Sequence, residues 1–461
     1  MVVNILKKPA WRSVVAAFAL LILCASARAA EFRVRDYGAT GDGQTVDTAA
    51  IQRAIDAAAA GHGTVVLAPG VYLAGALFLK TGVNLEVGKG AVIRGVQSIS
   101  AYPEMWTRTA GVEMMWPAAL LNVCGQSHVR ISGEGAIDGD GKLWWDEFWS
   151  MFPVYQKIGL RWAVDFDCKR PRLIQIYKSS DITLRGLRLE RSGFWTVHIC
   201  YSRGVTVEGI TIRNNLGGRG PSTDGVDIDS SAQVRVERCD ISCNDDALCL
   251  KAGRDADGLR VNQPTEHVVI RDCVVRDGAA GFTIGSETSG GIRDVRVERL
   301  TVLAPVPLGI YFKSAATRGG TIENIVIRGV RMEGVATAVG VDLNWKSTGA
   351  YTQLPPGMKT PPAYWKALTQ PVPLPQGLPH FRNITVSDVT AIGARQAFRV
   401  RSRDDAPLEN FKFKNVRIGA QTAGSIQDAV DWTFVATHVD TADGSRVTLK
   451  DCRGVRGLAP E

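Results

Sequence analysis

The sequence of 461 residues lacks the features that would place it in a membrane or on a nucleic acid. Beyond the first thirty residues, no hydrophobic run approaches the roughly 20 apolar residues that a transmembrane helix needs. No run of lysine and arginine occurs, and the mild formal charge of +8 is typical of a solvated surface. We therefore expect no nucleic-acid partner. This basic excess suits an acidic substrate but does not require one.

The first thirty residues have the pattern of a secretion signal. A basic start with Lys7 and Lys8 precedes the apolar run from Val14 to Leu23, and Ala27-Arg28-Ala29 supplies the small residues that a signal peptidase accepts. We predict a signal peptide at residues 1–29, and a mature protein at residues 30–461 that is periplasmic or secreted and has no membrane contact after the signal is removed.

Eight cysteines remain beyond the predicted signal: Cys124, Cys168, Cys200, Cys239, Cys243, Cys249, Cys273 and Cys452. Export makes some disulfides plausible, but eight cysteines allow about 105 complete pairings, and the sequence does not choose among them. Buried free thiols fit equally well, because a free cysteine behaves as a small apolar residue.

One short strand pattern repeats along most of the chain. Clear copies begin at Val205, Val234, Val268, Val295, Ile325 and Ile384, and looser copies begin at Val129, Ile182, Phe411 and Val447. Neighbouring copies in the middle of the chain are roughly 23 to 34 residues apart, which is typical of stacked solenoid coils. Apolar residues alternate with period two, which predicts strands and excludes helical repeats. The fixed leucine and asparagine frame of leucine-rich repeats is absent. The pattern predicts an all-β protein, a right-handed parallel β-helix of about ten coils.

A solenoid needs a cap over its first coil, because an open end exposes a sheet edge. The segment from Thr48 to Ala59 has amphipathic helix spacing, and a strand-like segment from Thr64 to Leu67 and a turn at Pro69-Gly70 follow it. Between Trp345 and Pro379 the repeat stops and prolines accumulate, which predicts a long excursion from the coil. We expect one domain with a short N-terminal capping helix. A domain break at the excursion is the alternative.

Acidic residues cluster in two neighbouring coils: Asp224, Asp227 and Asp229, then Asp245 and Asp246. Asp224 and Asp245 are 21 residues apart, close to one coil, which places them on adjacent rungs about 4.8 Å apart. Carboxylates this close disfavour joint ionisation, so one holds a proton while another stays charged. Glycoside hydrolysis needs this pairing of acid and base. A ladder of turn-capping aspartates and a calcium site remain the alternatives.

Several ordered motifs resemble glycoside hydrolase family 28, the polygalacturonases and their relatives. They are Asp36-Tyr-Gly-Ala-Thr-Gly-Asp-Gly, Phe194-Trp-Thr-Val-His, Ser222-Thr-Asp-Gly-Val-Asp, Asn244-Asp-Asp, Ile284-Gly-Ser-Glu-Thr-Ser-Gly-Gly and Arg318-Gly-Gly. The resemblance implies a pectin lyase-like solenoid that hydrolyses pectin without a cofactor or metal. It implies that Asp245 is the acid and that Asp224 and Asp246 activate water, with inversion. Inversion would require carboxyl groups about 6.5 to 9.5 Å apart.

The sequence departs from the family's pattern at three places. Gly278-Ala279-Ala280 stands where the family has Gly-His-Gly, and Tyr311-Phe312-Lys313 stands where it has Arg-Ile-Lys. Ser222 replaces the asparagine of the family's Asn-Thr-Asp. The aspartates persist while substrate contacts change, which favours hydrolysis of a modified substrate, such as a rhamnose-containing pectic oligosaccharide.

Other residues are candidates for substrate binding. The segment Lys251–Arg260 resembles an insertion in bacterial family members that act on chain ends, and Lys251 and Arg254 could hold an acidic sugar. An aromatic ring can stack on a sugar and a histidine can donate to a hydroxyl. On these grounds Trp195 and His198 are candidates, with a buried core pair as the alternative, and Tyr311 is a further candidate for stacking. Glu287 could bind sugar hydroxyl groups or replace the missing histidine electrostatically, and Lys313 matches the lysine with which the family holds galacturonate carboxylates. Trp345 is a candidate to close a subsite.

The resemblance therefore implies a monomeric glycosidase that acts on galacturonan or rhamnogalacturonan of the plant cell wall, from chain ends. Two alternatives stay open. A β-helical pectate lyase would use calcium at the aspartates and would release an unsaturated product. A carbohydrate-binding β-helix without catalysis would bind tightly without turnover.

Overall fold

The computed structural model describes residues 1–2, 30–345 and 351–458; apart from its first two residues, the predicted signal peptide lies outside this part. The predicted right-handed parallel β-helix is confirmed. The coils build three parallel sheets, which we call A, B and C in the order in which a complete coil visits them. No described helix combines the length and the apolar character that crossing a membrane requires.

Sheet A carries on its outer surface the acidic residues that the sequence analysis identified. Its strands are Leu77–Phe78, Leu121–Cys124, Ile174–Tyr177, Val197–Cys200, Val226–Asp229, Asp246–Lys251, Ala280–Ile284, Leu308–Lys313, Thr337–Asp342 and Thr448–Lys450. Two long strands, His380–Arg401 and Leu408–Gln427, pass through sheets B and C and end in sheet A.

Sheets B and C complete each coil. Sheet B contains Glu31–Arg33, Thr64–Leu67, Asn84–Val87, Ser127–Ser132, Ser180–Arg185, Arg203–Glu208, Ala232–Glu237, Thr265–Arg271 and the short strand Ala429–Val430. Sheet C contains Asp42–Val46, Gly70–Ala74, Ala91–Gly95, Ala136–Asp138, Arg188–Glu190, Thr211–Arg213, Asp240–Ser242 and Val274–Asp277. Three strands run from B into C: Ile292–Leu303, Thr321–Glu333 and Thr433–Thr441.

All the sequence repeats except the last coincide with the strand register of sheet B; the copy that begins at Val447 instead corresponds to the sheet A strand Thr448–Lys450. The first residues of successive copies pair directly with one another: Val129, Ile182, Val205, Val234, Val268, Val295, Ile325, Ile384 and Phe411. Each of these side chains is buried in a core cluster that extends from Val34 to Phe434. A one-residue slip would turn the apolar set outwards, so the period-two pattern fixes the register.

The capping helix is confirmed at Thr48–Ala59, here α1, with one face packed on the first coils. Five helices follow it in the described chain: α2 Lys142–Lys157, α3 Val164–Asp167, α4 Asp255–Val261, α5 Ala363–Leu368 and α6 Leu374–Gly377. Helices α5 and α6 lie in the proline-rich excursion. Short 3-10 turns occupy Val34–Tyr37 and Ile99–Ala101, and an antiparallel hairpin pairs Glu104–Thr109 with Val112–Pro117.

The eight cysteines of the described chain are all free thiols. Six are buried, and Cys124 and Cys452 are half-buried. The structure therefore agrees with the free-thiol alternative and not with a disulfide framework.

Candidate active site

The outer face of sheet A brings polar side chains from successive coils into register. Alternate residues such as Val226, Ile228, Leu248 and Leu250 point into the core, so the residues between them point outwards. One outward column contains Asp227, Cys249, Thr283, Tyr311, Gly340 and Arg399. A parallel column pairs Asp229 with Lys251 and, farther along, Lys313 with Asp342 and Arg401.

A cavity of about 230 Å³ opens over this face. Its floor contains Asp224, Asp245, Asp246, Lys251 and Lys313, and its walls come from covering segments outside the coil. The wall residues are Ala110 of the hairpin, Arg161, Trp162, Asp165 and Phe166 from the segment of α2 and α3, Arg254 before α4, and Trp345.

The three aspartates predicted to be catalytic meet in this cavity, where one carboxylate oxygen of each lies within 4.8 Å of the others. The strand register differs slightly from the prediction, because Gly225 N donates to Asp246 O at 2.9 Å and Val226 pairs with Leu248. Asp224 is therefore opposite Asp246, and Asp245 is one residue earlier. These oxygen contacts are shorter than the separation of about 6.5 to 9.5 Å that inversion would require, because Asp245 and Asp246 are neighbours in the chain and Asp224 lies on the adjacent rung.

The three carboxyl groups have different surroundings. Lys313 Nζ donates to Asp246 Oδ2 at 2.8 Å and Thr283 Oγ1 donates to Asp246 Oδ1 at 3.0 Å. Burial alone would raise the pKa of Asp246, but the ammonium groups of Lys313 and Lys251 outweigh burial and lower it. Burial and the neighbouring charge of Asp246 raise the pKa of Asp245 to about 6. Asp246 is thus poised as a base and Asp245 as an acid.

Asp224 is the most strongly affected of the three. Burial, followed by the charges of Asp227 and Asp245, raises its pKa well above the ordinary value. The raised pKa favours the protonated form of Asp224, which can donate a hydrogen bond to water. Asp246, whose pKa is lowered, is better suited than Asp224 to act as a base.

Lys251 lies at the centre of a second group of carboxylates. Its Nζ is 3.5 Å from Asp224 Oδ2, 3.5 Å from Asp227 Oδ1 and 3.4 Å from Glu287 Oε2, and it lies 4.8 Å from the centre of the Trp195 ring. Burial raises the pKa of Asp227 to about 8 despite this ammonium group. For Glu287, burial is outweighed by Lys251 and two arginines, so its pKa is lowered. The lysine therefore compensates a concentration of negative charge that burial alone would not tolerate.

Among the residues that the structure describes, two groups of side chains could in principle hold a metal ion. At Asp224, Asp245 and Asp246, the ammonium groups of Lys313 and Lys251 already neutralise the carboxylates, and a calcium ion would have to compete with both. At His198, Cys200 and Asp229, Arg108 Nη1 donates to Asp229 Oδ1 at 2.8 Å and supplies the positive charge instead. At both groups a divalent cation would have to compete with a positively charged side chain that is already in place, which weakens the calcium-dependent lyase alternative.

Five of the seven residues predicted to bind substrate line the cavity: Trp195, Lys251, Arg254, Glu287 and Lys313. His198 does not line it. Its ring is fully buried beneath Trp195, with Nε2 3.4 Å from Asp229 Oδ2, and burial lowers its pKa to about 4. A neutral histidine in this place positions Trp195 and Asp229 and has no exposed atom to offer a sugar.

Tyr311 does not line the cavity of about 230 Å³ that contains the three aspartates, which we call the catalytic cavity after their predicted role. It lines a neighbouring cavity together with Trp345. Arg254 stands immediately before α4, where its Nε donates to Asp255 Oδ2 at 3.2 Å and its backbone N donates to Gly111 O of the hairpin at 2.9 Å. The insertion that begins at Lys251 is thereby attached to the hairpin across the cavity. The substrate-binding roles of all seven residues stay predictions.

Sequence reasoning missed the wall formed by α2 and α3. Asp165 in this wall accepts a hydrogen bond from Ser222 Oγ at 2.9 Å and forms ion pairs with Arg170 and Arg161 at 3.0 and 2.8 Å. The serine that replaces the family's asparagine thus joins the wall to the catalytic rung. The segment Lys142–Lys157 is rich in aromatic residues and contains Pro153, so no clear helical pattern marks it.

Comparison with known proteins agrees with this geometry. Residues 107–360 match the family described as "Glycosyl hydrolases family 28", and residues 32–101 match one described as "Rhamnogalacturonase A/epimerase, pectate lyase-like". The chain is 30% identical over 447 residues to a "Probable polygalacturonase" of Vitis vinifera, covering 95% of this chain and 82% of the relative.

Bacterial proteins are also similar. An "Exo-poly-alpha-D-galacturonosidase" of Dickeya chrysanthemi is 27% identical over 473 residues, covering 90% of this chain and 74% of the relative. The crystal structure of an exopolygalacturonase from Thermotoga maritima superimposes with a TM-score of 0.70 at 23% identity, covering 93% of each chain. At this identity the superposition concerns the fold alone.

Proposed function

Because the chain belongs to glycosyl hydrolases family 28, we propose that it is an exported glycosidase that hydrolyses α-linked galacturonic acid units of pectin. The observation that carries the proposal is the catalytic cavity itself. Three carboxyl groups meet there within 4.8 Å, and the pKa of Asp245 is raised to about 6 while that of Asp246 is lowered. Two carboxyl groups in opposite protonation states are what glycoside hydrolysis requires.

In the proposed mechanism, Asp245 gives its proton to the glycosidic oxygen as the bond to the anomeric carbon breaks. Asp246 takes a proton from a water molecule whose oxygen bonds to the same carbon. Asp224 holds that water with a hydrogen bond. The departing sugar leaves with the proton of Asp245, and exchange with solvent returns the proton from Asp246 to Asp245. The resemblance implies inversion, whereas spacing under about 5.5 Å is typical of retaining enzymes.

Positive charge in the cavity suits an acidic substrate. Lys313, Arg254 and Arg161 line the cavity together with the aspartates. A guanidinium group binds a carboxylate through two parallel hydrogen bonds, so the arginines are suited to hold a uronic acid. Arg254 is buried, and this burial and the nearby Arg318 lower its pKa. A substrate carboxylate would offset the free-energy cost of burying the charge of Arg254.

Action from chain ends is the second part of the proposal. The hairpin, the segment of α2 and α3, and the residues before α4 all contribute to the wall of a cavity of about 230 Å³. Such a wall is suited to a terminal sugar and not to the middle of a long polymer. The bacterial exo-acting relative supports the same view.

Product analysis on polygalacturonate tests this proposal. We expect monomer or one short oligomer of fixed length from the earliest time point, with a slow fall in viscosity, because each cleavage removes only a chain end. The Asp245→Asn variant serves as the control without turnover. A rapid fall in viscosity with a broad mixture of oligomers would contradict action from chain ends and leave hydrolysis intact.

A modified substrate is the second candidate, and one observation favours it. Ala279 and Tyr311 stand where the family has a histidine and an arginine, so contacts to plain galacturonate are fewer. The same product analysis decides this point when it includes rhamnogalacturonan fragments. A higher kcat/KM on those fragments than on galacturonate oligomers of equal length would favour the modified substrate.

A further inference from the structure

A second cavity, of about 630 Å³, adjoins the catalytic cavity on the outer face of sheet A. Trp345 lines both cavities, so the two lie side by side. The floor of the second cavity follows the strand register from Tyr311 through Gly340 to Arg399. The absence of a side chain at Gly340 leaves this floor open, since a Cβ there would lie 3.1 Å from Tyr311 Cδ2.

The charges around the second cavity do not cancel. Arg401 Nη2 donates to Asp342 Oδ2 at 2.6 Å, which neutralises that pair. Arg399, an exposed residue, forms no ion pair with any residue in the described part of the chain. The cavity thus presents one uncompensated guanidinium group, the residue type best suited to bind a carboxylate through two hydrogen bonds.

The second cavity also contains acceptors without donors. Asp342 Oδ1 and Asn344 Oδ1 are buried oxygens that accept no hydrogen bond from a described residue, and both residues line the cavity. A buried acceptor without a donor costs free energy, so such atoms call for a ligand or water. Sugar hydroxyl groups are donors, and Tyr311 offers a ring face beside them.

We propose that this second cavity binds another uronic acid unit of the same substrate chain, with its carboxylate on Arg399 and its hydroxyl groups on Asp342 and Asn344. The inference rests on the proposed function, because the catalytic cavity must hold the first unit. Lys313 and Arg401 are two rungs apart, which is about 10 Å along the solenoid. The second cavity therefore contacts substrates that extend beyond the catalytic cavity and leaves the shortest ones untouched.

Binding to a protein that cannot turn over tests this inference separately from catalysis. Calorimetry would compare the D245N protein with the D245N/R399Q protein, using di-, tri- and tetragalacturonate. A hydrogen bond to a charged group contributes about 1.5 to 3 kcal/mol, so R399Q is expected to raise the Kd for the longer oligomers about tenfold or more. The Kd for the disaccharide is expected to stay the same.

Two controls make the result specific. D245N/R417Q removes an exposed arginine of sheet C, and it should leave every Kd unchanged. Carboxyl-reduced tetramer should bind both D245N and D245N/R399Q equally, because it has no carboxylate for Arg399. An equal effect of R399Q on all lengths, or no effect on any, would overturn the inference. Arg399-dependent binding of the longer oligomers without turnover by the native protein would uphold the inference and reject the proposed function.

Discussion

Replacing Asp245 with asparagine is expected to lower kcat on polygalacturonate by about a hundredfold to ten-thousandfold, the usual contribution of general acid catalysis. Asparagine has nearly the same size but has no proton to give to the leaving oxygen. The pKa of Asp245, raised to about 6 by burial and by Asp246, means that wild-type activity falls as pH rises above that value. In the variant, this dependence on pH should disappear together with most of the rate.

The choice of substrate separates acid catalysis from a structural role. A synthetic glycoside with a good leaving group needs little protonation, so D245N should lose much less activity on it than on a sugar leaving group. Asp181→Asn, which changes an exposed aspartate paired with His128 on sheet B, serves as the matched control and should retain full activity. Equal losses on both substrates, or a fall in Tm that accounts for the lost activity, would mean that Asp245 is not the acid.

Replacing Lys251 with methionine is expected to destabilise the fold by about 3 to 5 kcal/mol near neutral pH. The substitution removes the ammonium group shared by Asp224, Asp227 and Glu287, which are all buried. Breaking a buried ion pair from one side costs about this much, because the remaining charge is left uncompensated. Denaturant unfolding followed by circular dichroism measures the loss.

The destabilisation caused by K251M should increase as pH rises. Without the lysine, the carboxyl pKa values in the folded protein lie above those in the unfolded chain, so the folded state binds more protons and stability falls as pH rises. The difference between K251M and wild type should therefore be smaller at pH 5 than at pH 8. Lys142→Met, at an exposed pair with Asp146, should cost less than about 1 kcal/mol at either pH. A similar loss for both variants would contradict the assigned role of Lys251.

The β-helical coil and its N-terminal capping helix could be predicted from the sequence. A period of two with one buried face leaves one register, which is why the residues that begin the copies, from Val129 to Phe411, pair directly in sheet B. The helix Thr48–Ala59 was equally accessible, since its apolar spacing is regular. The aspartates predicted to be catalytic were identified through motifs that the family shares, and the coil length predicted that they lie close together.

The burial of individual side chains and the segments that cover sheet A could not be predicted from the sequence. His198 alternates outwards from sheet A, yet its ring is fully buried and contacts Trp195, and the period-two pattern does not indicate this burial. The wall of α2 and α3 is irregular in pattern because it packs aromatic residues such as Trp144 and Phe148 on several sides. Lys251 was predicted to bind substrate, whereas its contacts with three carboxylates depend on which rungs meet.

Isotope incorporation tests the central claim most directly. Incubation of the native protein with polygalacturonate in water enriched in oxygen-18, followed by mass spectrometry, shows where the water oxygen goes. Hydrolysis with Asp246 as the base predicts one heavy oxygen at each new reducing end, in saturated products that do not absorb ultraviolet light. With D245N, incorporation should be slower by about a hundredfold or more. Unsaturated, ultraviolet-absorbing products without the heavy oxygen, released only when calcium is present, would contradict the account and establish elimination instead.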